Sequence, residues 1–150
     1  MRIRRSAIAL AMLTLVLMPR VGQSQGSKSE VKRKPVSTLG QNYPNPYNPD
    51  THIPFSLACS ETDPGKKFRV SMRVFNVLAQ LVAVPELRGS SGGVAGGQKL
   101  QNVLLPCGSY TAFWDGKYER TKREVASGVY IFALDVDGAR EGAIRSTVAK

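Results

Sequence analysis

The strongest constraint on this chain is a period-two alternation of apolar and polar side chains, broken every few residues by Gly, Pro or Asp. Ile53, Phe55 and Leu57 alternate with His52, Pro54 and Ser56, while Phe68, Val70, Met72 and Val74 alternate with Arg69, Ser71 and Arg73. Successive side chains of an extended strand point to opposite faces, so each run offers one face to a core and the other to water. From Leu39 onward no segment sustains the 3.6-residue apolar period of an amphipathic helix. Pro54 has no N–H to give to a ladder, so its strand is expected at a sheet edge or interrupted there.

Further along, Asn76 to Gln80 reads as a turn and Leu81 to Val84 as a short apolar segment. Gly89 to Gly97 (GSSGGVAGG) has little to pack and reads as a flexible surface loop. Val103 to Leu105 begins another strand, and Tyr110, Ala112 and Trp114 alternate up to the turn signal Asp115-Gly116. Gly128 to Val136 (GVYIFALDV) is apolar on both faces and is expected to be the central, best-buried strand. Asp137-Gly138 is a hairpin turn signal, and Ala143 to Val148 closes the pattern. Short strands separated by such turns fit an all-β, two-sheet sandwich. The 150 residues allow one such domain with a tail, and 42% hydrophobic against 21% charged residues is the balance of a chain that folds.

The first 24 residues read differently. Arg2, Arg4 and Arg5 make a positive start, Ala7 to Met18 is an uncharged stretch, and Pro19 ends it. Gly22-Gln23-Ser24 places small residues at the −3 and −1 positions of a cleavage site, so residues 1–24 read as a secretory signal peptide. Twelve residues fall short of the roughly 20 that a transmembrane helix needs, so no membrane span is expected after cleavage. Residues 25–38, rich in Ser and Lys with little to bury, read as a flexible basic linker ahead of a domain over 39–150. Export through the inner membrane is the expectation, with the periplasm as transit and the outer surface or medium as destination.

The net charge of +10 resembles a nucleic-acid footprint, but four of the 21 basic residues (Arg2, Arg4, Arg5, Arg20) lie in the first twenty positions. Lys32-Arg33-Lys34 forms one further run, in the linker and without interleaved aromatics, so no nucleic-acid partner is expected. Export also bears on Cys59 and Cys107. An even count is compatible with one disulfide, closing a loop of about 49 residues and contributing roughly 4 kcal/mol, or with two buried thiols that never meet.

Gln41 to Leu57 reads QNYPNPYNPDTHIPFSL. It resembles the opening of the C-terminal sorting domain of type IX secretion cargo, N-x-P-N-P-[F/Y]-N-P-x-T-x-I-x-F-x-L. The likeness continues through RVFNVLAQLV (73–82), CGSYTAFWDG (107–116) and VASGVYIFAL (125–134), in the family's order over residues 39–150. It implies an immunoglobulin-like or fibronectin-like β-sandwich of about seven strands, related to the domain of flagellar hook-capping proteins. It also implies outer-membrane translocation, with the secretion machinery as partner and surface attachment as a further role. On this reading Tyr43, Pro44, Asn45, Pro46, Tyr47, Asn48 and Pro49 form the motif, with Tyr43 and Tyr47 as anchors. Trp114, Asp115, Gly116, Gly128 and Tyr130 hold the sandwich, Trp114 filling the space between sheets. The chain departs from the family pattern at Ala79, which stands where a turn Gly is usual and must avoid positive φ or bear strain. It departs also in the loop 117–124 (KYERTKRE) and in the long Gly-rich loop.

No catalytic motif, cofactor site or metal set is found. His52 takes an exposed strand position with no partner at ligand spacing and reads as a solvated surface histidine. Asp135 and Asp137 supply too few ligands for Ca²⁺. Tyr43, Tyr47, Phe113 and Tyr130 read as packing groups before a sugar-stacking surface. The expected function is therefore non-catalytic: a sorting module or, in a different class, a stand-alone extracellular structural or binding protein. With only residues 25–38 between signal and domain, the domain itself is the exported product or the frame is the remnant of a longer gene.

Overall fold

The computed structural model describes residues 36–89 and 93–150. The expected signal peptide (1–24) and residues 25–35 of the expected linker (25–38) lie outside the described residues. Nine strands occur: β1 (Ser37–Leu39), β2 (Thr51–Leu57), β3 (Lys67–Asn76), β4 (Leu81–Ala83), β5 (Glu86–Arg88), β6 (Val103–Pro106), β7 (Gly108–Trp114), β8 (Gly128–Val136) and β9 (Ala139–Val148). They form two antiparallel sheets, β1-β2-β7-β5 and β4-β3-β8-β9, with β6 also paired to β3. No helix is found among the described residues, and so none long and apolar enough to cross a membrane.

The alternating runs decide which side of each sheet is dry. Ile53, Phe55 and Leu57 of β2, Tyr110, Ala112 and Trp114 of β7, Phe68, Val70, Met72 and Val74 of β3, and Phe132, Leu134 and Val136 of β8 share one buried cluster. Each fully buried large side chain contributes roughly 1.5–3 kcal/mol. β8 lies between β3 and β9 and is buried almost continuously from Tyr130 to Val136. Its turn into β9 has positive φ at both Asp137 (51°) and Gly138 (83°), the pattern of a type I′ hairpin. Asp137 also receives the Arg69 N–H on its carboxylate at 2.9 Å. Asp135 is ion-paired with Arg73 and Arg140. Burial alone would push its carboxyl up, but hydrogen bonds and charge from Arg140 and Arg73 hold it below the ordinary range.

Four expectations are corrected. There are nine strands rather than about seven, because β1 and β5 are three residues long and too short to show alternation. Ser37 and Thr38, assigned to the linker, pair with Leu57 and Ser56. β2 is not an edge strand, since it lies between β1 and β7, but its ladder with β1 stops at Leu39–Phe55, just short of Pro54, as the interrupted alternative has it. Pro54 is tolerated there because its carbonyl, and with it the side lacking an N–H, faces the end of β1, where the Gly40 N–H donates to it at 2.9 Å. The Gly-rich loop is tied at its base. The Leu87 N–H donates to Gln98 O at 2.8 Å, the Gly97 N–H to Leu87 O at 2.7 Å, and Val94 packs against the core.

Cys59 and Cys107 form a disulfide across a sequence separation of 48, joining the end of β2 to the β6–β7 corner. At the β3–β4 turn Ala79 does bear the strained conformation, with φ of 59°. Asn76 compensates by accepting the N–H groups of Leu78 (3.0 Å) and Gln80 (2.9 Å) on its side-chain oxygen. A left-handed alanine costs about 1–2 kcal/mol and a glycine's extra chain freedom about half of that. Ala79→Gly is therefore expected to raise unfolding free energy by roughly 0.5–1 kcal/mol in urea titration, and a loss would show that the turn is not strained.

Candidate functional site

The segment from Gly40 to Pro49 leaves β1, folds back on the start of β2, and crosses to the end of β9. Pro44, Pro46 and Pro49 follow cis peptide bonds. Three prolines fix their own φ and remove three donors, so side chains must organise this stretch. Asn42 and Thr51, both buried, do so. Asn42 Nδ2 donates to Thr51 Oγ1 (2.9 Å) and Pro44 O (3.1 Å), while Thr51 Oγ1 lies 3.2 and 3.1 Å from the Tyr43 and Pro44 carbonyls. Tyr43 and His52 exchange two backbone hydrogen bonds of 2.9 Å.

The far half of this strap is held by the second sheet. Asn45 Oδ1 accepts the Ser146 hydroxyl and the Thr147 N–H, both at 3.2 Å. The Tyr47 N–H donates to Thr147 O at 3.0 Å, and the Ala149 N–H to Tyr47 O at 3.1 Å. Between these anchors the Tyr47 ring drops into the core, 5.8 Å from Trp114 and 6.4 Å from Phe132. Trp114 lies 5.5 Å from Tyr130 and 5.7 Å from Phe132, both edge-on, and its indole N–H donates to Lys117 O at 3.0 Å. The Tyr130 hydroxyl donates to Ala126 O at 3.0 Å.

Gly116 completes the contact. It has φ of 69°, and a Cβ built there would meet Pro49 O at 2.0 Å, so only glycine fits. The structure thus brings together Tyr47, Pro49, Trp114, Gly116 and Tyr130, and ties Asn45 to β9. Asp115 is exposed, its carboxylate accepting the Lys117 N–H at 3.1 Å, and Gly128 begins β8. Pro44, Pro46 and Asn48 are exposed.

Two expectations about surface rings change. Tyr43 is no core anchor: it is 53% exposed and stacks on His52 at 5.5 Å. His52 is not a solvated residue but half-buried, between Tyr43 and Phe113. The pairing geometry places both on the outward face of the first sheet, where neighbouring rings cover one another. Among the described residues there is no group of three or more His, Cys, Asp or Glu that could hold a metal ion. Asn42 and Thr51 were missed as organising residues, though both stand at fixed polar positions of the quoted motif.

No family model matches this chain, and no curated protein matches it. Among solved structures it is similar to the Pseudomonas fluorescens alkylpurine DNA glycosylase AlkC bound to DNA containing an abasic site analog. The identity is 15% and the TM-score 0.47, over 77% of this chain and 31% of that one. A likeness of that size carries no argument about function.

The Tyr47 hydroxyl is buried with no hydrogen-bond partner among the described residues. Burial first, and the neighbouring Tyr130 second, push its ionisation far above the ordinary tyrosine range. An unsatisfied buried hydroxyl costs about 1–3 kcal/mol, so Tyr47→Phe is expected to stabilise by about 1 kcal/mol. Folded Tyr47 keeps its proton where the unfolded chain loses it, so stability is full below pH about 10 and falls as pH rises beyond it. Tyr110 and Tyr130 are raised as well, chiefly by burial, so Tyr47→Phe is expected to make that decline shallower without abolishing it. Denaturant titrations between pH 7 and 11 test both effects. Gly116→Ala adds an overlapping Cβ and a strained φ and is expected to cost about 3 kcal/mol in the same assay.

Proposed function

We propose that this chain is a non-catalytic exported module similar to the type IX sorting domains, an immunoglobulin-like β-sandwich that directs translocation across an outer membrane. Residues 1–24 act as its secretory signal, the secretion machinery is its partner, and the cell surface or medium is its destination. One observation carries most of the support. Three of the four quoted blocks, spread from Gln41 to Leu134, meet in one place, with Tyr47 of the first against Trp114 of the third and Trp114 against Tyr130 of the fourth. Pro49 of the first block lies against Gly116 of the third. A motif whose separate parts meet in one contact is a unit of structure, and such a unit can be grafted behind other proteins.

The test is a reporter fused ahead of residue 36 and followed by residues 36–150, expressed behind a secretory signal in a bacterium with a working type IX system. Appearance of the reporter at the surface or in the medium, and its retention in the periplasm of a strain lacking that system, is the expected outcome. Retention in both strains would remove the targeting role.

A further inference from the structure

The register of the first sheet sets its outward side chains in three rows. Thr38, Ser56 and Ser109 lie side by side, then Pro54, Thr111 and Arg88, then His52, Phe113 and Glu86 with Tyr43 beside His52. The first two rows floor an open trough of about 400 Å³, within the roughly 300–1,000 Å³ of small-molecule sites. Along the third row the Arg88 guanidinium lies 3.7 Å over the Phe113 ring, Phe113 is 5.3 Å from His52, and His52 is stacked on Tyr43. This stack fixes a long, flexible cation at the trough's side. Tyr43, at its far end, remains more than half exposed.

Arg88 rests on the Phe113 ring but makes no ion pair within the described residues, and Glu86, in the adjacent row, is bound to Lys99 at 3.3 Å. The rows hold no Leu, Ile, Val or Met, and their rings and guanidinium stand among hydroxyls rather than in an apolar patch. They hold Ser and Thr hydroxyls, which donate and accept as sugar hydroxyls do, and a tyrosine face whose negative quadrupole attracts polarised C–H groups. The guanidinium fork matches a carboxylate. Four residues of strand separate the first row from the third, about 14 Å, which suits a short run of sugar rings.

We propose that the outer face of the β1-β2-β7-β5 sheet binds an acidic polysaccharide, with Arg88 holding a uronate carboxylate, the Ser and Thr rows the ring hydroxyls, and Tyr43 stacking on a sugar face. This does not rest on the secretion reading, since such a face would serve a free extracellular protein equally.

The experiment is calorimetric titration of the full chain with hexagalacturonate and with its methyl ester, which has the same backbone without the charge. The acid is expected to bind, the ester at least about tenfold more weakly, and Arg88→Gln to weaken the acid by a similar factor without affecting the ester. Tyr43→Ala is expected to weaken both. Arg145→Gln removes an exposed arginine from the outer side of the other sheet and is expected to leave the dissociation constant within about twofold. No binding of the acid, or equal losses from Arg88→Gln and Arg145→Gln, would overturn the proposal, the latter by showing attraction to net charge alone.

Discussion

The fold depends on one ring. Tyr47 reaches the core from a segment that belongs to neither sheet, and it touches Trp114 of the first and Phe132 of the second. Sheets of this size have modest cores, and the ends of a two-layer arrangement are where water enters. A tyrosine placed there closes the end while its backbone pairs with β9. Its polar atom is the cost of that position, since the hydroxyl lies where no described group can answer it.

The prolines around Tyr47 make sense in the same terms. Each removes a donor that no ladder would have used and narrows the unfolded chain's freedom, so ordering the strap costs less entropy. The remaining donors and acceptors are taken up by Asn42, Thr51 and Asn45. Asn42 and Thr51 tie the strap to the start of β2, whereas Asn45 reaches Ser146 and Thr147 and so joins distant parts of the chain. The approach of Pro49 to Gly116 then fixes where the strap ends.

Much of this was legible in the sequence, for a physical reason: alternation reports the face of a strand directly. β2, β3, β7 and β8 were readable from it, as was the turn at Asp137-Gly138. β1 and β5 were not, since Ser37-Thr38 is as polar as a linker and Leu87 is the one fully buried residue of Glu86–Arg88. Pro54 misled because strand position was inferred from a missing donor without knowing which neighbour that side faced. The meeting of Tyr47, Trp114 and Tyr130 was also hidden. It depends on pairings between strands far apart in the chain, which local pattern cannot specify, and Tyr43 and Tyr47 look alike until the strap's path separates them.

The strap's attachment to Thr147 and Ala149 has a consequence for the order of events. Residues 45–47 emerge early from any process that delivers the chain from its N-terminus, but their backbone partners arrive about a hundred residues later. Until then Tyr47 has no wall to pack on and the sheets share no closed end. Non-local closure of this kind makes folding slow and late. A chain whose last strand has not yet been made therefore stays open, and completion of that strand acts as the latch that closes the domain.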